Sequence, residues 1–289
     1  MDTGIDVKKR LKELSEKAYR ENRYVFTDFL NVAQLSAYFE MVENVGGSTD
    51  DHASDIDGMI GQMQCKAFGG TSGCERCVVR FGSVDLLGYE EPYPITLLKI
   101  YPAMAKYAEQ LTHRDYLGSL IGLGLEREKI GDIVIPRVSD SDNAEGNGSS
   151  EVKKSAKKAQ GAVYVFVIET IADYIIENLG YVKHTNVRVE KCDEVPEEVV
   201  PHLEDVSVIV SSNRIDAIVA KLYNLSREQS LKLFVEGKVF LNGITMTSNA
   251  RPLKAGDTIS VRGFGKFIFD GEGGSTRKEK LYVNVRKYV

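Results

Sequence analysis

Residues 211–243 read SSNRIDAIVAKLYNLSREQSLKLFVEGKVFLNG, and the periodicities in this stretch decide the architecture of the last third of the chain. Ile215, Ile218, Val219 and Leu222 recur at three- and four-residue spacing, which predicts a helix over about 214–223 with one apolar side. Asn224 and Leu225 make the turn. Ser226 followed by Gln229 forms a capping box, in which the serine hydroxyl accepts from a backbone N–H of the new helix and the glutamine reaches back. This second helix continues to Glu236, and Gly237 fits a left-handed cap. Residues 238–241 read as a strand and Asn242-Gly243 as a two-residue hairpin turn. Residues 253–257 make a further turn into a strand over 258–262.

Charge separates this end from the rest. From Ser207 to Val289 there are fourteen Lys and Arg against seven Asp and Glu, a net of +7. The whole chain of 289 residues carries −5, so the remainder holds −12. An acidic body with a basic end is the asymmetry expected when one module meets phosphate. Hydrophobic residues make up 43% and charged residues 27%, ordinary for a folded globular chain. No run approaches the roughly 18 uncharged apolar residues of a membrane span. The first seventeen residues are charged throughout with no apolar signal core, so a cytoplasmic protein with no membrane partner is expected.

Moving toward the N-terminus, the middle alternates strands and helices. Strands are predicted over 95–101, 130–135, 161–168 and 186–190, with helices over 113–123 and 169–179. This βαββαβ order is the ferredoxin-like plan that RNA-recognition domains also use. Alternation along the third strand puts Val163, Val165 and Val167 on one face and Tyr164 and Phe166 on the other. Tyr164 and Phe166 are therefore candidates for base stacking, or else for contact with another domain. Residues 139–160 form a Gly/Ser-rich, then lysine-rich, insertion expected to be mobile.

The first sixty or so residues read as helical, with apolar spacing over 7–18 and 29–42, and Thr27-Asp28 as caps of the second segment. The expected fold class is α+β in three parts. They are a helical N-terminal region (1–76), a ferredoxin-like, RNA-recognition-like βαββαβ domain (77–206) with the insertion 139–160, and a basic RNA-binding domain plus C-terminal strand (207–289). The four cysteines, Cys65, Cys74, Cys77 and Cys192, read as reduced thiols. Cys74-x-x-Cys77 has the spacing of a metal knuckle without a second pair, so no metal and no cofactor are expected.

Residues 208–269 resemble the S-four RNA-binding domain, also called the αL motif. The matching residues are Arg214-Ile215-Asp216, Ser226-Arg227, Leu233-Phe234, Gly237-Lys238-Val239, Leu241-Asn242-Gly243, Leu253, Gly256-Asp257 and Ser260-Val261-Arg262-Gly263. Departures are Ile215 where Leu is usual, Ser230 where Ala is common and Phe234 where Ile is common. The resemblance implies that Arg214, Arg227, Lys232, Lys238, Arg262 and Lys266 meet RNA phosphates, with Arg251 and Lys254 at the rim. Such contacts give affinity and salt dependence but little sequence choice.

The chain as a whole resembles the YlmH family. The resemblance is carried by Thr27-Asp28-Phe29-Leu30, Phe68-Gly69-Gly70, His113-Arg114-Asp115-Tyr116-Leu117-Gly118, Ile130-Gly131-Asp132-Ile133 and Ile171-Ala172-Asp173-Tyr174-Ile175. It departs in the 139–160 insertion and in the Cys74/Cys77 pair. It implies a bacterial, ribosome-associated factor that holds large-subunit ribosomal RNA and peptidyl-tRNA in quality control of stalled nascent chains. A partner would there extend the chain without a template. The alternatives are an RNA-modifying enzyme of the pseudouridine-synthase type or a protein-interaction adaptor linked to cell division.

No enzyme is expected, and no catalytic residue is assigned. A pseudouridine synthase would use an Asp in an Arg-Leu-Asp setting, and Arg214-Ile215-Asp216 matches it only superficially, since it starts a helix. Gly122-x-Gly124 ends a helix rather than opening one after a strand, which excludes the usual nucleotide loop. His113-Arg114-Asp115 echoes a kinase catalytic loop without the accompanying glycine-rich loop.

Overall fold

The computed structural model describes residues 4–44, 57–104, 109–136, 161–276 and 280–289. The insertion at 139–160, with Lys153, Lys154, Lys157 and Lys158, lies outside them.

Helix α1 (Gly4–Glu21) buries Val7, Leu11 and Ala18 along one side, as their spacing predicts. The strands that follow are β1 (Val25–Phe26), β2 (Glu43–Asn44), β3 (Asp57–Ile60), β4 (Met63–Phe68) and β5 (Val78–Phe81), with α2 (Val32–Met41) between β1 and β2. They form an antiparallel sheet in the order β1-β5-β4-β3-β2. The expectation of a helical region over 1–76 is therefore corrected, while β5 is the short strand that the Val78–Phe81 run predicts. Strand β4 buries Met63, Cys65 and Ala67 on alternate positions. That is a period of two written in residues of weak strand preference, which hides it from a propensity reading.

The cap of α2 is also corrected. Asn31 and Gln34 close its capping box. Thr27 instead accepts from the Val79 N–H at 2.9 Å, and Asp28 pairs with Lys129 at 2.7 Å. A short helix, α3 (Val84–Leu87), leads onward.

The middle unit consists of β6 (Ile95–Pro102), α4 (His113–Gly122), β7 (Ile130–Val134), β8 (Val163–Ile168), α5 (Glu169–Asn178), β9 (Tyr181–Val182) and β10 (Thr185–Cys192). Its sheet runs β7-β8-β6-β10-β9. The four main strands thus sit in the order second, third, first, fourth, all antiparallel, as in a ferredoxin-like plan. Val163, Val165 and Val167 share a core with Leu120 of α4 and with Ala172 and Ile175 of α5.

The opposite face is not open. Tyr164 and Phe166 are each 1% exposed, and they pack with Phe29, Val78, Leu97 and Val199. The Tyr164 hydroxyl bonds Glu198. A base cannot stack on these rings, so their candidacy as stacking residues is withdrawn. The cause is that the protein's own N-terminal unit covers the face. The approach is close enough that a Cβ on Gly70, whose φ is +108°, would overlap the Phe166 ring.

The C-terminal unit holds β11 (Leu203–Val210), α6 (Ile215–Leu222), α7 (Arg227–Val235), β12 (Val239–Leu241), β13 (Ile244–Thr245), β14 (Thr258–Val261), β15 (Gly265–Ser275) and β16 (Leu281–Tyr288). Its six-stranded antiparallel sheet runs β11-β16-β15-β14-β12-β13. Ile215, Ile218 and Val219 of α6 and Leu233 and Phe234 of α7 are buried against Val239, Val261, Phe267 and Val283. Asn242 and Gly243 turn the hairpin with φ of +50° and +80°.

Two expected boundaries move. Strand β5 belongs to the N-terminal sheet, so the first unit extends past 76 to Phe81. Strand β11 pairs with β16 along its whole length, so the last unit begins at Leu203 rather than 207. The N-terminal unit touches both others. Besides covering the middle sheet, it sends Ser36 of α2 to the N–H and hydroxyl of Thr245, at 2.9 and 3.1 Å.

Candidate nucleic-acid interface

The first turns of α6 and α7 meet around a polar hollow of about 290 Å³. Its lining includes Ser211, Ser212, Arg214, Asp216, Arg227 and Ser230. Arg214 is the N-cap of α6, and Arg227 is the first residue of α7 after the Ser226 cap. Both helices therefore aim their positive N-terminal ends at the same space, which favours an anion there.

The hollow is held by Asp216. Its side chain is nearly inaccessible and accepts four hydrogen bonds. These come from Arg214 Nε (3.0 Å) and Nη2 (2.8 Å), the Ala217 N–H (2.9 Å) and Asn249 Nδ2 (3.0 Å). The pair holds the Arg214 guanidinium in its charged form, with its pKa raised by Asp216. Two of the five guanidinium N–H groups point at Asp216 and the remainder stay available to a ligand. Ser230, where the S-four pattern commonly has Ala, donates from Oγ to the Asp216 carbonyl at 2.9 Å and so bolts α7 to α6. Asn213 fixes the loop beside the hollow: it donates to the Leu253 carbonyl and to Glu272 and accepts from the Leu253 N–H. The Arg251 carbonyl accepts from the Ile215 N–H at 3.0 Å, so the Arg251 backbone abuts the start of α6.

The other expected phosphate contacts separate into groups. Arg227 is exposed and makes no ion pair among the described residues. Arg251 and Lys254 are exposed on the loop next to the hollow. Lys232 and Lys238 both reach Glu236, at 3.7 and 2.6 Å, and Arg262 adjoins Lys238 through a backbone bond of 2.9 Å.

Lys266 leaves the set. It shares a small cavity with Cys74, Glu75 and Cys77, and its ammonium lies 5.0 Å from the centre of the Tyr288 ring. Burial lowers its pKa. Strand β15 turns this side chain toward the seam between units, not toward solvent.

That seam holds Arg76, which motif reading did not single out. Arg76 donates from Nε to the Ile130 carbonyl at 3.0 Å and from Nη2 to the carbonyls of Phe29 (3.0 Å) and Arg127 (3.2 Å). Burial and the neighbouring Arg127 bring its pKa down to about 10. Asp132 accepts from the Glu75 N–H at 2.6 Å, and burial pushes its pKa up to about 6. Residues 74–77 thus serve as a strap between the N-terminal and middle units. Cys74 and Cys77 are free thiols, burial raises Cys74 well above its ordinary range, and among the described residues no group of three or more His, Cys, Asp or Glu is placed to hold a metal ion. In His113-Arg114-Asp115, Asp115 caps α4 by accepting from the Thr112 N–H and hydroxyl, both at 2.8 Å. It also pairs with Lys183, whose hydrogen bond leads the causes that draw it down to about 2.

The architecture is an α+β protein of three packed units with a basic hollow between two helix N-termini. No helix among the described residues is long and apolar enough to cross a membrane. Residues 89–141 match the family model described as "Putative RNA-binding domain in YlmH". The matched range takes in two of the stretches that carried the resemblance in the sequence, His113–Gly118 and Ile130–Ile133. Ribosome-associated protein quality control protein P2 of Bacillus subtilis (strain 168) is 29% identical over 189 residues. That alignment spans 63% of this chain and 63% of the relative's own length. Among solved structures, the cell division protein ylmH from Streptococcus pneumoniae is 16% identical with a TM-score of 0.38, over 64% of this chain and 88% of that one.

The matched region 89–141 takes in β6, α4 and β7, not the basic C-terminal unit. It also takes in part of the sheet whose aromatic face is covered by Phe29 and Val78. RNA contact by this region has to use a surface other than the one carrying Tyr164 and Phe166.

Proposed function

We propose that this protein is an RNA-binding, ribosome-associated factor whose C-terminal unit is an S-four-type domain. It docks on large-subunit ribosomal RNA and peptidyl-tRNA during quality control of stalled nascent chains. The observation that carries the reading is the convergence of Arg214 and Arg227 on one hollow at two helix N-termini. Charged guanidinium groups and helix ends together favour a phosphate backbone over a neutral ligand. Arg251 and Lys254 extend the same positive edge and would follow the RNA away from the hollow. The name of the Bacillus subtilis relative supports the ribosome as the setting, and the description of the matched family supports RNA as the ligand. A nascent-chain tailing factor is the expected protein partner.

A pseudouridine-synthase reading of Arg214-Ile215-Asp216 finds no support in the geometry. Asp216 is 6% exposed and engaged by four donors, so it has no free oxygen to offer a substrate.

The test is binding of the full chain to a structured RNA across a salt series. Arg227→Ala is expected to weaken binding uniformly across sequences and to flatten the slope of log affinity against log salt by about 1. Unchanged affinity and slope would refute a role for the hollow.

A further inference from the structure

The opposite end of α6 presents different chemistry. Tyr223, its C-cap, lies about 13 Å along the helix from Arg214 at 1.5 Å per residue. Against Tyr223 stands Phe264, in the turn between β14 and β15, with ring centres 5.5 Å apart and planes at 50°. Tyr223 in turn leans on the buried ring of Phe267 at 6.3 Å. Phe264 is 41% exposed. Its neighbours Gly263 and Gly265 take φ of +87° and +123°, and its own N–H bonds the Val261 carbonyl at 2.9 Å. The turn is therefore fixed, and it holds an apolar ring partly in solvent, where turns usually place polar residues.

Two cations stand near, one in the same turn and one on β16. Arg262 is exposed two residues before Phe264. The ammonium of Lys287 on β16 lies 5.6 Å from the centre of the Tyr223 ring. Neither has an ion pair among the described residues, in contrast to Lys238, which is tied to Glu236. The Tyr223 hydroxyl beneath the turn is buried with no hydrogen-bond partner. A supported, exposed ring with two cations near it, neither held in an ion pair, matches a nucleotide, whose base offers a π-face and whose flanking phosphates offer charge. A protein partner of ordinary interface composition would instead find a single exposed ring rimmed by unpaired positive charge.

We propose that Phe264 is a stacking platform for one unpaired base, with Arg262 and Lys287 holding the phosphates beside it. The proposal rests on the RNA-binding reading and adds to it a second contact, specific for an unpaired nucleotide, at the end of α6 away from the hollow. It is tested with the full chain and two labelled hairpin RNAs that differ only by one bulged adenosine, using fluorescence anisotropy. Wild type is expected to prefer the bulged hairpin. Phe264→Ala is expected to lose about tenfold on it while leaving the paired hairpin unchanged, and Phe264→Tyr to retain the preference. Thermal melting of each variant confirms that the fold is kept. The proposal is overturned if wild type shows no preference for the bulge, if Phe264→Ala binds the bulged hairpin as wild type does, or if it weakens both hairpins alike. Failure of wild type to bind either hairpin would overturn the RNA-binding reading itself. Loss on both hairpins in Arg227→Ala, with the bulge preference intact, would separate the two sites.

Discussion

Replacing Asp216 by Ala removes the acceptor on which the hollow is built. Four donors lose their partner: two N–H groups of Arg214, the Ala217 N–H and the Asn249 amide. Breaking a buried ion pair from one side costs about 3–5 kcal/mol when the remaining charge stays buried. Arg214 keeps 37% of its side chain in solvent, so water recovers part of that loss. Ala217 and Asn249 are half-buried residues, so water offsets part of their loss as well. The expected destabilisation of the C-terminal unit is therefore about 3 kcal/mol, and about half of that for Asp216→Asn, which keeps the shape and loses the charge. Urea unfolding followed by circular dichroism measures it. RNA affinity should fall in both variants under conditions where each remains folded, because Arg214 is no longer aimed. A destabilisation under about 0.5 kcal/mol would show that the carboxylate is not what holds the hollow. Tighter RNA binding by folded Asp216→Ala would show that the pair restrains Arg214 rather than orienting it.

Two further outcomes concern the seam between units. Gly70→Ala forces a Cβ into the Phe166 ring at a positive φ and should destabilise the chain by about 2 kcal/mol or more, with faster hydrogen exchange along β8; unchanged exchange would mean that the covered sheet face is not a fixed contact. Asp132 is raised by burial to about 6, so the folded state holds its proton more tightly than the unfolded chain. Its stabilising contribution is present below the ordinary carboxylate range and is lost as pH rises through about 6, a difference of about 3 kcal/mol at most. The stability of Asp132→Asn relative to wild type should accordingly rise between pH 4 and pH 7.5 in urea titrations, and a difference independent of pH would refute the assignment.

Much of the C-terminal unit was legible because its signals are local. The Ser226–Gln229 capping box, the Gly237 cap and the Asn242-Gly243 turn each need only neighbouring residues, and each forms as read. The middle unit was legible through its alternation, which put the valines of β8 on one face, and that face is the one the helices cover. What alternation cannot supply is the partner of the other face, and Tyr164 and Phe166 are covered by Phe29 and Val78 from a distant part of the chain. Of the N-terminal sheet, β5 is legible in its Val78-Val79 run, but β4 is not, because Met63, Cys65 and Ala67 carry its period without β-branched residues. Among the candidate phosphate contacts, Arg214 is held by Asp216, two residues along the same stretch. Lys266 was misread because only long-range packing decides which side of β15 faces the seam. Phe264 carried no motif, and its exposure becomes meaningful only beside Tyr223 and Lys287, which arrive from other elements.

The most direct test of the central claim is co-sedimentation of wild type and Arg227→Ala with separated ribosomal subunits at two salt concentrations, followed by crosslink mapping on the bound RNA. The account predicts salt-sensitive binding to the large subunit, crosslinks next to the tRNA path, and weaker binding with fewer crosslinks in the variant. Absence from both subunits at low salt, or crosslinks in wild type that persist unchanged in Arg227→Ala, would contradict it.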